Sequence, residues 1–427
     1  LPNRRFFISE INRTLIKNGQ LQPCSMFFID LDKFKEVNDT LGHAVGDKLL
    51  KVIAGRLNVI LKSRDLICRF GGDEFVVVVP GMADINKCSQ IAEVMIQQLN
   101  RPVEVDHHSI TIGASIGISC APNDGKTAED LLQHTDVALY DAKARGRGTY
   151  TFYSEELGDT IKLRRELEID LKRALEEETL EVHFQPLVNL KTCGINTCEA
   201  LVRWNHPSYG DVSPESFIKI AEESGFIEKL GEYVLRNAML QCASWPKNVR
   251  VAVNVSSVQF VRSDVFSTIS RLLDEIGLEP HRLEVEVTET VMLKSFDDAI
   301  FTLNQLSDLG VKISLDDFGT GFSSLSYLHQ LPLDKVKIDR SFIKNGIADS
   351  RSYMLLKGVV ELTKSLGLNV VLEGIETEEQ LSQISRTIKI DEVQGFLFSR
   401  PLPAHDIRTL LGKAQDQLPG AAEGQTL

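Results

Sequence analysis

The 427-residue sequence has no apolar run approaching the roughly 20 residues a helix needs to cross a bilayer, and no signal-peptide pattern. It also lacks an excess of positive charge. Its 47 Lys and Arg stand against 60 Asp and Glu, a formal net charge of -13, which excludes the basic face of a bulk nucleic-acid-polymer binder. An acidic chain can still bind nucleotides where metal ions neutralise the phosphates locally. The seven cysteines are scattered. The closest pair, Cys193 and Cys198, has neither zinc-ligand nor redox spacing, so reduced thiols are expected. There is no initiator Met: the chain opens at Leu1-Pro2-Asn3-Arg4-Arg5, as expected of a fragment whose natural N-terminal sensor region is missing. Residues 413–427 are polar and rich in small side chains, and a disordered tail is expected there.

The length exceeds one ordinary core, and 43% hydrophobic with 25% charged residues is a globular composition, so two domains are expected. Residues 1–153 mix helical and strand patterns. Met26-Phe27-Phe28-Ile29 is a short apolar run closed by Asp30 and Asp32, Val37 to Leu61 has helical period, and Ile110 to Ser119 reads as a strand. Arg69-Phe70, Gly71-Gly72 and Phe75 to Val79 predict a hairpin, and Ala128 to Arg145 a helix. This alternation predicts an α/β domain on a central, mostly antiparallel sheet. Residues 154–178 predict a charged helical linker, with Leu163, Leu167, Leu171 and Leu175 in a stripe that packs the helix, levers between domains, or does both.

Beyond Leu180 eight strand-like runs alternate with helices over roughly 230 residues, the size and rhythm of a (β/α)8 barrel. They are Val182–Val188, Thr197–Val202, Val251–Val255, Leu283–Val287, Val311–Leu315, Lys335–Ile338, Val370–Leu372 and Ile390–Val393. Their ends carry Glu199, Asn254, Glu286, Asp316-Asp317, Lys337, Glu373 and Gln394. Carboxylates converging on a barrel mouth repel one another without cations, and hard oxygen donors at that density suit Mg2+ or Mn2+. A pair of such ions supports in-line displacement at phosphorus, with a nearby lysine to orient water and offset charge. In the first domain, Gly71 and Gly72 form a turn without side-chain bulk, Asp73 stands where a metal can be shared with Asp30, and Asn38 and Asp47 offer groups that read a guanine edge.

The second half resembles the EAL phosphodiesterases over residues 165–412. The resemblance rests on Glu199-Ala200-Leu201-Val202-Arg203-Trp204, Val253-Asn254-Val255-Ser256, Glu286-Val287-Thr288-Glu289, Asp316-Asp317-Phe318-Gly319, Lys335-Val336-Lys337-Ile338-Asp339, Glu373-Gly374-Ile375-Glu376 and Gln394-Gly395. It implies hydrolysis of cyclic di-GMP to linear pGpG with two Mg2+ or Mn2+ ions. By position it implies Glu199, Asn254, Glu286, Asp316, Asp317 and Glu373 as metal ligands. Lys337 matches the residue that positions or deprotonates the water, and Gln185, Arg203 and Gln394 match substrate contacts. Glu289 matches the tether of the loop Phe318 to Ser324, which couples dimerisation to metal binding. One departure is a segment between Glu376 and Gln394 a residue longer than usual.

Residues 1–153 are similar to the GGDEF diguanylate cyclases. The match rests on Asp30-Leu31-Asp32-Lys33-Phe34-Lys35-Glu36-Val37-Asn38-Asp39, Gly46-Asp47, Gly71-Gly72-Asp73-Glu74-Phe75 and Ala142-Lys143-Ala144-Arg145-Gly146-Arg147. It implies Asp30 and Asp73 as ligands of the Mg2+ that accompanies GTP, Asn38 and Asp47 as guanine readers, Lys35, Lys143 and Arg147 as phosphate contacts, and Glu74 as a catalytic acid. The family condenses two GTP molecules across a homodimer. Its inhibitory Arg-x-x-Asp is here Lys62 and Asp65, and lysine cannot make the bidentate guanidinium contact. Three roles stay open for this domain: cyclase, GTP sensor or silent scaffold. The whole chain is expected to be an enzyme, with a non-catalytic cyclic di-GMP receptor as the alternative. Its substrates place it in the cytoplasm, where it is also expected if the full protein is membrane-anchored.

Overall fold

The computed structural model describes residues 4–17, 20–291, 296–319, 328–344 and 350–413. The expected tail beyond Lys413, residues 320–324 of the expected coupling loop and the opening Leu1-Pro2-Asn3 lie outside the described residues. The chain divides into two compact units, Leu1–Glu166 and Leu167–Leu427. No helix among the described residues is long and apolar enough to cross a membrane.

In the first unit, strands β1 (Cys24–Asp32), β2 (Leu66–Gly71), β3 (Glu74–Pro80), β4 (Gly113–Ala121) and β5 (Tyr150–Phe152) form one sheet in the order β2-β3-β1-β4-β5. Every neighbouring pair is antiparallel except β4 with β5. Helices α1 (Arg4–Leu15), α2 (Phe34–Leu41), α3 (His43–Ile60), α4 (Ile85–Leu99) and α5 (Ala128–Ala144) cover it. Alternate residues of one strand serve opposite faces. Phe27, Ile29, Phe75 and Val77 pack with Leu49, Ile53, Ala92 and Met95, whereas Met26, Phe28, Val76 and Val78 pack with Phe7, Ile11, Leu131 and Leu139. A sheet covered on both faces needs unbroken apolar runs, which is why Val76 to Val79 carries no polar residue.

Two boundaries differ from expectation here. The periodic stretch Val37–Leu61 is two helices, because Gly42 adopts φ 86° and turns the chain between α2 and α3. Ile110 belongs to a small hairpin of Val103–Val105 with His108–Ile110, turned by Asp106 and His107 at φ 48° and 70°. The long strand therefore starts at Gly113 rather than at Ile110.

Helix α6 (Glu155–Glu176) contains the unit boundary; Leu167 and Leu171 of its stripe are buried, while Leu163 is partly exposed. The second unit is an eight-stranded barrel: β6 (Glu181–Asn189), β7 (Ile195–His206), β8 (Arg250–Asn254), β9 (Leu283–Thr288), β10 (Lys312–Phe318), β11 (Lys335–Ile338), β12 (Asn369–Leu372) and β13 (Glu392–Val393). From β7 to β13 successive strands are parallel. The first strand, β6, runs antiparallel to both β7 and β13, because residues 190–194 are too few for a crossover and make a hairpin instead. The expected run Ile390–Val393 shortens to two paired residues.

The apolar core lies between the strands and the surrounding helices. Val251, Val253, Leu283, Val285, Ile313, Leu315, Val336, Ile338, Val370 and Leu372 all belong to it. The alternate residues of the same strands are largely polar and also buried, among them Glu284, Glu286, Ser314, Asp316, Lys335 and Lys337. The inside of this barrel is thus filled with charge, in place of the branched apolar layers such barrels usually contain.

Candidate active site

The polar interior is organised in layers. Glu199 on β7, Glu286 on β9, Lys337 on β11 and Gln394 just past β13 come from alternate strands of the barrel and meet in one layer. Lys337 Nζ lies 3.2 Å from Glu199 Oε2 and 3.1 Å from Glu286 Oε2. It also lies 3.2 Å from Asp316 Oδ1 and 2.8 Å from Glu373 Oε1. Gln394 Nε2 donates to Glu199 Oε2 at 2.6 Å and to Gln185 Oε1 at 3.1 Å, and Asn254 Nδ2 donates to Glu199 Oε1 at 2.7 Å. The longer segment before Gln394 does not take it out of this group. Glu199 sits inside β7 rather than at its end, because the outer part of that strand continues to pair with Gly210–Val212.

Asp316 and Asp317 are consecutive, so a regular strand would aim them at opposite faces. The register of β10 shifts between Leu315 and Phe318, and Asp317 takes φ 53°. This irregularity brings carboxylate oxygens of Asp316, Asp317 and Glu373 within 4.8 Å of one another, as those of Glu199, Glu286 and Asp316 also are. Past the irregularity, the Gly319 backbone N–H donates to Glu289 Oε1 at 3.0 Å. Arg203 lines a neighbouring cavity of about 400 Å3 with Leu201, Glu222, Asn254, Ser256 and Asp317.

In the first unit, Asp30 pairs in register with Glu74 across β1 and β3, and the Leu31 N–H donates to the Asp73 carbonyl at 3.4 Å. Lys143 Nζ lies 2.7 Å from Asp30 Oδ2. Burial raises the Asp30 pKa, with Lys143 opposing the rise, and burial together with Asp30 and Asp73 raises that of Glu74. Asn38 lies directly over Gly46, the neighbour of Asp47, where any Cβ would overlap its amide oxygen. Lys35, Asp47, Arg147 and the Gly71-Gly72 turn are exposed.

Residues 168–401 match the EAL domain. The chain belongs to the EAL domain family. Ahead of that domain, residues 1–149 match the family described as diguanylate cyclase, GGDEF domain. The chain is 38% identical over 414 residues to the bifunctional diguanylate cyclase/cyclic di-GMP phosphodiesterase MucR of Pseudomonas aeruginosa, covering 95% of this chain and 60% of that protein. It is 39% identical over 409 residues to the cyclic di-GMP phosphodiesterase NbdA of the same organism, covering 94% of this chain and 52% of that one. The chain thus spans about half to three-fifths of the length of these curated relatives. A solved structure described as PaMucR phosphodiesterase in complex with c-di-GMP is 39% identical, with TM-score 0.55, covering 57% of this chain and 99% of that one.

The electrostatics of the EAL site ask for cations. Burial opposes the charge of Lys337, but Asp316, Glu199, Glu286 and Glu373 outweigh it and hold its pKa well above the ordinary lysine value. Burial, then neighbouring carboxylates, pushes Glu286 well up, Glu373 to about 8 and Asp317 to about 6, with Lys337 opposing. Glu199 alone is lowered: burial acts against it, and Lys337 with hydrogen bonds from Gln394 and Asn254 wins. Five carboxylates against one ammonium leave a formal excess of four negative charges, the charge of two divalent cations. Glu286 Oε1 is buried without a hydrogen-bond partner, as an oxygen reserved for a cation is, and Asp316 Oδ1 meets only the ammonium that it shares with three other carboxylates. The residues therefore fit a divalent-metal site.

A second layer of the EAL barrel escaped the sequence reading. Thr197, Glu284, Lys335 and Glu392 each stand two residues before a member of the layer above, and all are buried. Lys335 Nζ bridges Glu284 at 3.0 Å and Glu392 at 2.9 Å. The period-two alternation Leu283-Glu284-Val285-Glu286 and Lys335-Val336-Lys337 was the signal for it.

Proposed function

We propose that residues 165–412 form a phosphodiesterase domain that hydrolyses cyclic di-GMP to linear pGpG. The observation that carries this reading is the convergence of four carboxylates on Lys337 in a polar-lined barrel, with the carboxylate of Asp317 beside Asp316 and Glu373 and the amide of Asn254 on Glu199 and Glu286. Glu199, Asn254, Glu286, Asp316, Asp317 and Glu373 would hold two Mg2+ or Mn2+ ions, which when bound polarise the phosphodiester and supply a nucleophile at neutral pH. Asn254 would present its amide oxygen to them, while its Nδ2 stays on Glu199 and Glu286.

The chain's own side chains do the remaining work. Arg203, Gln185 and Gln394 hold the dinucleotide. Gln185 is braced for this by donating to the Ser399 carbonyl at 3.0 Å. Lys337 orients the attacking water and offsets the negative charge that builds at phosphorus, a preorganised role because its ammonium is fixed by four carboxylates before substrate arrives. Glu289 holds the backbone that follows Asp317.

The first domain, residues 1–153, is proposed to bind GTP with Mg2+ at Asp30 and Asp73 and to synthesise cyclic di-GMP as a homodimer. A second reading makes it a GTP-binding regulator. It is favoured by NbdA, which is named only as a phosphodiesterase although this chain matches it along both domains. The deciding experiment is chromatography of products after incubation with Mg2+ and GTP, cyclic di-GMP, or both. The expected product from cyclic di-GMP is pGpG, abolished by Glu199→Ala. Binding of cyclic di-GMP without any product would reject the enzyme reading in favour of a receptor. Product from GTP alone would favour the cyclase reading of the first domain, and faster pGpG formation on adding GTP would favour the regulator.

A further inference from the structure

The layer beneath the cation site holds Glu284, Lys335 and Glu392, at 1%, 2% and 7% exposure, with the hydroxyl of Thr197 as its fourth member. They come from the same alternate strands as Glu199, Glu286, Lys337 and Gln394, two residues earlier in each case. Two residues along a strand is about 7 Å, close enough for charge in one layer to act on the other through the buried interior that separates them. The lower layer is unbalanced, with two carboxylates on one ammonium. Lys335 Nζ donates to Glu284 Oε2 at 3.0 Å and lies 3.0 Å from Glu284 Oε1 and 2.9 Å from Glu392 Oε2, whereas Thr197 Oγ1 and Ser314 Oγ are buried without hydrogen-bond partners.

Stability alone is a poor account of such a cluster. A buried ion triad is commonly replaced by apolar residues at no loss or at a gain, and these positions in a barrel are ordinarily filled by branched apolar side chains. We propose that Glu284, Lys335 and Glu392 form a buried counter-layer whose surplus negative charge strengthens the hold of the layer above on its divalent cations. Lys335 is then a positioning residue: it keeps the two lower carboxylates inside the barrel while leaving one charge uncompensated. This rests on the reading of the upper layer as a divalent-cation site.

The test is calorimetric titration of Mn2+ into the metal-free full chain, counting only the binding that Glu199→Ala abolishes. Glu392→Gln removes one negative charge and leaves Glu284 and Lys335 as a balanced pair. The expected result is a Mn2+ dissociation constant raised at least tenfold, with kcat on cyclic di-GMP at saturating Mn2+ within about twofold of the parent. Should this variant not fold, the triple replacement Glu284→Gln, Lys335→Met, Glu392→Gln loses the same net charge with no ion left unpaired, and the same rise is expected. Thr197→Val changes the layer without changing its charge and is expected to bind Mn2+ as the parent does. Parent-like Mn2+ affinity in Glu392→Gln or in the triple variant overturns the proposal, as does an equal weakening in Thr197→Val. A parent chain with no Glu199-dependent Mn2+ binding would overturn the cation-site reading along with it.

Discussion

Lys337 and Arg282 are both buried cations, and they show two ways to stabilise one. Lys337 is surrounded by carboxylates that exceed its charge, so the layer is held together by a cation too few. Lys337→Ala is expected to reduce hydrolysis of cyclic di-GMP at least a hundredfold, by roughly 3 kcal/mol of lost transition-state stabilisation. It should also lower the Tm of the metal-free protein, and Mn2+ should restore much of that loss by taking over the carboxylates; a thermal melt with and without Mn2+ reads this directly. Among the described residues, Arg282 is held by backbone carbonyls and not by carboxylates. Its guanidinium donates to the carbonyls of Cys242 at 2.7 Å, Val249 at 3.0 and 3.1 Å and Pro246 at 3.2 Å, clamping the turn before β8. Arg282→Leu strands those carbonyls and is expected to cost about 3 kcal/mol in denaturant unfolding, while the activity of the folded fraction is kept.

At the level of elements, contacts across the chain decide what a local pattern means. Gly117 of β4 passes so near α5 that a Cβ would overlap the Thr135 carbonyl oxygen and the Leu139 backbone nitrogen. Gly117→Ala should therefore destabilise the first unit by about 2–3 kcal/mol, measured as an earlier unfolding midpoint, with the barrel untouched. Glu289→Ala frees the backbone after β10, and is expected to lower kcat on cyclic di-GMP about tenfold with little change in binding of the dinucleotide in Ca2+. The strands of both units were legible because their apolar runs are short and bounded, and the site because its acids close or punctuate those runs. Three things were not legible. The break at Gly42 interrupts a helical period that continues on both sides. The hairpin that reverses β6 depends on the brevity of residues 190–194. The convergence of Asp316 and Asp317 comes from a register shift against β11, which exists only once the barrel is closed.

On the scale of the whole molecule, two cores that share no cluster imply two folding units. Calorimetry of the intact chain is expected to show two transitions. Residues 154–413 expressed alone should keep the second transition and should hydrolyse cyclic di-GMP, whereas a single merged transition would contradict the independence of the cores. The barrel has one further property that follows from how it shuts. The two-residue strand β13 is joined to β6 by only two ladder pairs, Val188 with Val393 and Asn189 with Glu392, and to β12 by only two more, Val371 with Glu392 and Leu372 with Val393. A cylinder parts most readily at its shortest joints, so spontaneous opening should start on either side of β13, beside Glu392 and Gln394, admitting solvent to the inner charges by a side door rather than through the mouth.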